Sequence, residues 1–162
     1  VMVEGQWVSS TRIRQLVSQG EMQRAQRCLA RPYSLLANVI QGAARGAALG
    51  YPTANLQTSS QVLPPEGVYA VKVRILDEVG LFPVPISPWY EGALNFGRRP
   101  TFEESGKPLM EVFLLDFHGQ LYGKTLEVSF YARIRGEVAF ANAATLKDQI
   151  SRDIRDIRQL FA

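Results

Sequence analysis

The sequence predicts a mainly β protein, a six-stranded antiparallel, Greek-key-like β-barrel with a C-terminal α-helix, preceded by a short helical segment. Near residue 33 the apolar residues change from helical spacing to alternation. Turns rich in glycine and proline separate the alternating segments, and no crossover helix lies between them. Helical spacing returns only at the C-terminal end, which therefore forms the closing helix.

Residues 1–31 are predicted to form two short amphipathic helices. Hydroxyl residues at positions 9–11 can cap the first helix, and Gly20 ends it. The apolar residues at helical spacing are Ile13, Leu16, Val17, Met22, Ala25 and Leu29. Because helices this short are marginal alone, we expect them to be mobile unless they dock on the barrel or on a neighbouring chain.

Alternating apolar residues predict the strands. The six segments are 35–41, 68–76, 92–96, 110–117, 125–131 and 133–140. In 125–131, three apolar residues are expected to point inward, with Glu127 and Ser129 outward. Residues 77–90 contain three prolines and are predicted to be a long loop. The closing helix carries its apolar face on Leu146, Ile150, Ile154, Ile157 and Phe161.

Charge and composition exclude several classes of protein. The chain has 162 residues and a net charge of +3, which the five arginines and two glutamates of residues 1–31 account for. The main body is therefore neutral, which argues against nucleic acid as a partner. A single histidine, His118, and a single cysteine, Cys28, leave no usual zinc site or internal disulfide and fit a reducing, cytoplasmic location. No apolar run reaches membrane-spanning length, and no signal peptide is visible.

The glycine-rich stretch of residues 42–50 and the segment after it suggest a phosphate and metal site. Glycines let backbone amides converge on phosphate oxygens, and Pro52 then fixes the chain direction. Thr53 and Asn55, two residues apart, present a hydroxyl and an amide oxygen on one side of an extended segment, and both are hard ligands for Mg²⁺. A tight turn before a strand explains the same residues, and local chemistry alone favours that interpretation.

Glu111 is a carboxylate on an otherwise apolar strand. It shares a face with Phe113, and a charge in such surroundings is costly unless it is used or paired. Partial burial makes a carboxylate a better general base near neutral pH. The alternative, that Glu111 lies at the strand start and reaches solvent, is equally compatible with the pattern. On the last predicted strand, Arg133, Arg135 and Glu137 are expected to share one face.

Residues 42–56 resemble the signature loop of riboflavin kinases, the flavokinase module of bacterial bifunctional riboflavin kinase/FAD synthetases. Further segments resemble the same family in the same order: 65–69, 93–97 continuing into 99–102, 111–117, 121–124 and the closing helix. The match covers residues 32–162. The resemblance implies a kinase domain over these residues, which moves the γ-phosphoryl of ATP to the 5′-hydroxyl of riboflavin and gives FMN and ADP.

The resemblance also implies roles for individual residues. Glu111 falls where the family carries its base, Thr53 and Asn55 where it holds Mg²⁺, and Arg135 and Glu137 near the flavin. The implied contacts to ATP and its phosphates are Gly42, Arg45, Gly46, Gly50, Pro52 and Thr53. The sequence departs from the family pattern at four positions, where Asn38, Ala47, Phe113 and Gly136 replace the frequent Gly, Arg, His and Pro.

Residues 7–14 resemble the last motif of the FMN adenylyltransferase domain that precedes the kinase in bifunctional enzymes. We therefore expect residues 1–31 to be a remnant of that domain, whose missing part would be a partner, and we expect no adenylyl transfer from this chain. The alternative to a kinase is a non-catalytic β-barrel module that binds a flavin, a nucleotide or single-stranded nucleic acid.

Overall fold

A computed structural model of the chain describes residues 1–42, 45–60, 62–79, 81–97 and 109–162. The helices are α1 (Ser10–Ser18), α2 (Met22–Leu29), the one-turn α3 (Arg45–Ala48) and α4 (Ala143–Phe161). The strands are β1 (Met2–Val3), β2 (Gln6–Trp7), β3 (Tyr33–Ile40), β4 (Ala54–Gln57), β5 (Gly67–Val79), β6 (Phe82–Pro85), β7 (Tyr90–Gly97), β8 (Leu109–Leu114) and β9 (Thr125–Arg135). Residues 99–102, part of one resembling segment, lie outside the described residues.

Six strands close into an antiparallel barrel. The sheet runs β6-β5-β7-β8-β4-β3-β9, and an additional pairing of β5 with β9 joins its ends. The barrel thus consists of β5, β7, β8, β4, β3 and β9, while β6 is an extra strand that pairs with the C-terminal end of β5, Leu76–Val79. The predicted six-stranded antiparallel barrel with a C-terminal helix is confirmed.

The membership of the barrel differs from the prediction at two strands. Segment 125–131 and the start of segment 133–140 form one strand, β9, which ends at Arg135. The alternation is interrupted between them because β9 has β-bulges opposite β5. The sixth strand is β4, which is too short to show a period of its own. Part of the predicted loop 77–90 is strand as well, since β5 continues to Val79 and pairs with β6.

The same bulges separate two arginines that were expected to share a face. Arg133 lies opposite Tyr69, which points into the barrel core, whereas Arg135 lies opposite Val68 on the outer surface. Directly paired residues lie on the same side of a sheet, so the two arginines point to opposite sides. Only Arg135 therefore reaches the outer flank of the barrel, and Arg133 instead donates to the Glu66 carbonyl at 2.6 Å.

The core fills the barrel and extends to the N-terminal helices. Its largest fully buried barrel residues are Tyr69, Val71, Val73, Leu94, Val112, Leu126, Val128 and Phe130. Four apolar residues of α1 and α2 belong to the same cluster: Leu16, Val17, Met22 and Ala25. The helical pair is therefore docked, with α2 against β3 and β9. Ser129, predicted to face outward, is also buried, so the outer surface of β9 is partly covered.

Helix α4 packs on the outside of the barrel against β7 and β9. Its buried Ile157 joins Ala70, Leu115 and Ala132 in a second, smaller apolar cluster. Asn142 caps the helix by accepting a hydrogen bond from the Thr145 amide at 2.9 Å. This position makes α4 one wall of the cleft described next.

Candidate functional site

The first cleft, which we call the α4 cleft, lies between helix α4 and the outer surface of the barrel. It has a volume of about 340 Å³ and receives side chains from β5, β7, β8, the end of β9 and α4. Five residues predicted from the sequence meet there: Gly46, Thr53, Glu111, Arg135 and Glu137. Its apolar side includes Leu146 and Ile150, so a flat ring system with a polar edge suits its walls.

The second cleft, which we call the loop cleft, opens beside the glycine-rich loop. It has a volume of about 360 Å³ and is lined by Gly42, Pro52, Thr53 and Asn55, with the turn that follows β8 on the opposite side. Thr53 lines both clefts, so the two meet at this side chain. Gly50 lines neither cleft but has a left-handed φ of 85°, which favours glycine. Arg45 begins α3, and its side chain lies outside the described part of the structure.

A row of polar residues crosses three neighbouring strands. Glu111 of β8 lies directly opposite Asn55 of β4 on one side and opposite Asn95 of β7 on the other. Residues in direct register share a face, so the three side chains project to the outer side of the barrel. The candidate base and a candidate metal ligand are therefore cross-strand neighbours. The sequence assigned no role to Asn95, although it lies in one of the resembling segments.

The Asn55 amide is buried with an unsatisfied oxygen. The residue is 4% exposed, and its Oδ1 accepts no hydrogen bond from the described residues. A side chain at Gly42 would overlap this amide, so the glycine is what allows Asn55 its position. A buried acceptor without a partner costs about 1–3 kcal/mol, which a bound cation or donor would recover.

The residues present fit Mg²⁺ in this place. Thr53 and Asn55 offer neutral oxygen ligands, and Mg²⁺ in nucleotide sites is held by few protein oxygens together with phosphate and water. Within the described ranges there is no group of three or more His, Cys, Asp or Glu residues that could hold a metal.

Hydrogen bonds close the loop between Gly46 and Thr53. The amides of Leu49 and Tyr51 donate to the Gly46 carbonyl at 3.1 and 2.9 Å. A Cβ at Gly46 would overlap the Tyr51 carbonyl and approach the Thr53 hydroxyl oxygen to 3.1 Å. The Tyr51 hydroxyl in turn bonds to that of Ser151 on α4 at 2.7 Å, and its ring packs edge-on against Phe113 at 5.4 Å. The loop is thus fixed to both walls of the α4 cleft.

Arg135 is held by a residue that the sequence did not single out. Its Nε lies 3.0 Å from both carboxylate oxygens of Asp153, and its Nη2 lies 2.9 Å from Oδ2. Asp153 lies on α4, is 4% exposed, and also accepts a hydrogen bond from Gln149 at 2.9 Å. A signal was present in the sequence, because Asp153 falls on the helix face that carries Ile150 and Ile157.

Glu137 lies at the rim of the α4 cleft. Loss of surrounding water and the charge of Glu66 raise the pKa of its carboxyl, while Arg135 opposes that shift. A Cβ at Gly97 would overlap the Glu137 carboxylate, so this side chain folds closely over β7. The α4 cleft thus contains the Arg135 guanidinium, the Glu137 carboxylate and the Glu111 carboxylate of β8.

A closed barrel with a glycine-rich loop, a buried amide oxygen without a hydrogen-bond donor among the described residues and a neighbouring carboxylate is suited to a phosphate-bearing small molecule. The riboflavin kinase family model matches residues 29–161, and the chain belongs to this family. The resemblance identified from the sequence motifs is therefore confirmed.

Similar proteins support this membership. The chain is 36% identical over 159 residues to the bifunctional riboflavin kinase/FMN adenylyltransferase of Haemophilus influenzae, covering 98% of this chain and 48% of that protein. It is 38% identical over 154 residues to the protein of the same description from Escherichia coli K12, covering 95% of this chain and 46% of that protein. The chain thus spans about half the length of the curated relatives it matches.

Two solved structures are similar in fold. A structure described as a macrolide-efflux protein from Streptococcus pneumoniae superposes with a TM-score of 0.84 at 34% identity, over 98% of this chain and 49% of that one. Riboflavin kinase from Trypanosoma brucei superposes with a TM-score of 0.53 at 20% identity, over 80% and 79% of the two chains, which shows a shared fold. Among the described residues, no helix combines the length and apolar character that crossing a membrane requires.

Proposed function

We propose that this chain transfers the γ-phosphoryl group of ATP to the 5′-hydroxyl of riboflavin, giving FMN and ADP. The observation that supports this best is the register of β4 and β8, which makes Glu111 the direct neighbour of Asn55. Phosphoryl transfer depends on placing the nucleophile against the phosphate more than on covalent catalysis. A base beside a phosphate-and-metal site meets that requirement.

The two clefts divide the substrates between them. The loop cleft takes the phosphates of ATP, beside Gly42, Pro52 and Thr53. The α4 cleft takes the flavin, whose ring lies between apolar residues of α4 and the outer face of the barrel. Because Thr53 lines both clefts, the transferred phosphoryl group and the flavin hydroxyl meet beside this residue.

Glu111 accepts the proton of the flavin hydroxyl as the oxygen attacks phosphorus. The Thr53 hydroxyl and Asn55 Oδ1 would hold Mg²⁺, which neutralises phosphate charge when it is bound. Arg135 and Glu137 bind the polar edge of the ring, the first as a donor and the second as an acceptor of hydrogen bonds.

The substrates, partners and cellular location of the enzyme are part of the same proposal. The substrates and products are riboflavin, ATP, FMN and ADP, with neither nucleic acid nor a membrane as partner. We place the protein in the cytoplasm, and we assign the adenylyltransferase domain as the partner of residues 1–31, with no adenylyl transfer from the chain itself.

Replacing Glu111 with Gln tests the catalytic role. The amide keeps the shape of the side chain but cannot accept the proton, so FMN formation should fall by about 10²–10⁴-fold. Riboflavin and ATP binding should stay within about twofold. FMN is measured by chromatography, and riboflavin binding by quenching of its fluorescence. Glu127→Gln is the matched control, because Glu127 is also a half-buried strand carboxylate but is paired with Arg74 away from both clefts. A Glu111→Gln variant as active as the Glu127→Gln control would show that Glu111 is structural.

The double variant Thr53→Val, Asn55→Ala tests the metal site. It should weaken binding of Mg²⁺-ATP by at least about tenfold and of metal-free ATP far less, because oxygen ligands are lost while the loop amides remain. Calorimetric titrations with and without Mg²⁺ separate the two. Gln57→Ala, an exposed change on the same strand, is the control. Equal losses in both titrations would point to a damaged loop.

If the wild-type chain binds riboflavin but forms no FMN, the non-catalytic flavin-binding alternative is favoured.

A further inference from the structure

We propose that Asp153 is a positioning residue for the flavin, which acts by fixing the Arg135 guanidinium in the α4 cleft. The inference rests on the proposed function and adds a residue that neither the motifs nor the register identified. It starts from a buried acidic residue on an apolar helix face, a location that is costly unless the charge is paired.

Contacts with Asp153 and with the Gly136 carbonyl hold the Arg135 guanidinium in place. Both Asp153 oxygens contact Arg135, through Nε and Nη2, and Nη1 donates to the Gly136 carbonyl at 3.1 Å. Gln149 donates to the same carboxylate one helical turn away. These contacts leave one N–H on each of the two terminal nitrogens of Arg135 without a partner among the described residues. The contacts of Nε, Nη1 and Nη2 hold the guanidinium in place, and its two remaining N–H groups can donate hydrogen bonds to a ligand.

A second arginine–aspartate pair between α4 and the barrel provides a comparison for Asp153. Arg158 of α4 binds both oxygens of Asp116, in the turn after β8, at 2.8 Å. That pair is exposed, with side-chain exposures of 50% and 74%, and it lies outside the residues that line the cleft. A surface pair suffices to fasten a helix, whereas burying a pair carries a large desolvation cost. The buried position of Asp153 is therefore explained by its place in the cleft.

The chemistry of the ligand matches. One edge of an isoalloxazine ring carries carbonyl oxygens and ring nitrogens that accept hydrogen bonds, and a fixed guanidinium presents donors in one plane. A guanidinium that is already ordered loses less conformational freedom when the ligand binds. Without Asp153, Arg135 is free to turn toward Glu137, the carboxylate on which its charge already acts. The donors would then no longer be ready for the ring.

The test compares Asp153→Asn with Asp116→Asn in the full chain. Loss of charge-assisted positioning should raise the Kd and the KM for riboflavin by about 10–100-fold in Asp153→Asn. The KM for ATP and kcat should stay within about twofold, because Glu111 and the loop cleft are untouched. Asp116→Asn should leave all four values within about twofold. A loss of riboflavin affinity as large in Asp116→Asn, or an unchanged Kd in Asp153→Asn, would overturn the proposal.

A double-variant cycle with Arg135→Gln separates positioning from general stability. If Asp153 acts through Arg135, the double variant should bind riboflavin no more weakly than Arg135→Gln alone. Additive losses would show an independent structural role and refute the proposal. If Asp153→Asn does not fold, Gln149→Ala removes only one donor to the carboxylate and should raise the Kd by about two- to fivefold, and an unchanged Kd would refute it. Since Kd is measured without turnover, absent FMN formation in the wild type would refute the proposed function alone.

Discussion

Met22→Ala is expected to destabilise the whole barrel, although Met22 lies in the segment interpreted as a domain remnant. Its side chain is 0% exposed and belongs to the same apolar cluster as Phe130 and Val128 of β9. Shortening a fully buried Met to Ala costs about 2–5 kcal/mol, because the lost contacts and the cavity add together. In a domain of this size, each kcal/mol lowers Tm by about 2–4 °C, so a decrease of about 4–20 °C is expected.

The assay is thermal unfolding followed by circular dichroism and by the fluorescence of bound riboflavin. Both signals should move together in a single transition, since helices and barrel share one core. Gln23→Ala, an exposed change on the same helix, is the control and should stay within about 0.5 kcal/mol of the wild type. FMN formation at low temperature should be unchanged in both variants. If Met22→Ala matches the control, or if a separate helical transition precedes the loss of riboflavin binding, then α1 and α2 are not part of the barrel core.

Two further predictions follow from the packing of single residues. Gly42→Ala should weaken Mg²⁺-ATP binding by at least about tenfold, because the new Cβ displaces the Asn55 amide. In the control Gly136→Ala, the Cβ would meet only Arg133 Nη2 at 3.5 Å, and equal calorimetric losses in the two variants would contradict this reasoning. Burial raises the pKa of Tyr69 from 10.0 to about 12, so its stabilising effect is complete below pH 10 and is lost as pH rises through 12. Between pH 10 and pH 12, the unfolding free energy of the wild type should fall by up to about 3 kcal/mol more than that of Tyr69→Phe. Urea titrations measure this difference, and parallel pH curves for the two proteins would refute the prediction.

The faces of the strands could be predicted from the sequence, but their partners could not. Alternation places Leu126 and Val128 inside the barrel whichever strands lie beside them. The pairing of β5 with β9 joins distant parts of the chain, and its two bulges interrupt the period of two by which a strand is identified. For this reason the sequence divided β9 into two strands and placed Arg133 on the same face as Arg135.

The candidate site was predictable where one short segment contains it. Thr53 and Asn55 are two residues apart, so local geometry alone places their oxygens together. Asp153 and Asn95 could not be found this way, because each reaches the site only through packing or register. An acidic residue on the apolar face of a terminal helix is nevertheless a usable signal, since such a residue must find a partner on the surface that the helix covers.

The packing of the core decides whether Glu111 can act at all. Met110, Val112 and Leu114 of β8 are 3%, 1% and 5% exposed, and their burial fixes the register of this strand. A slip of one residue would turn every side chain of β8 to the opposite face, so Glu111 would point into the apolar interior and lose Asn55 as its neighbour. The free energy that holds three apolar side chains inside the barrel therefore also holds the Glu111 carboxylate outside, beside Asn55. The geometry of the candidate site and the stability of the barrel therefore depend on the same register of β8.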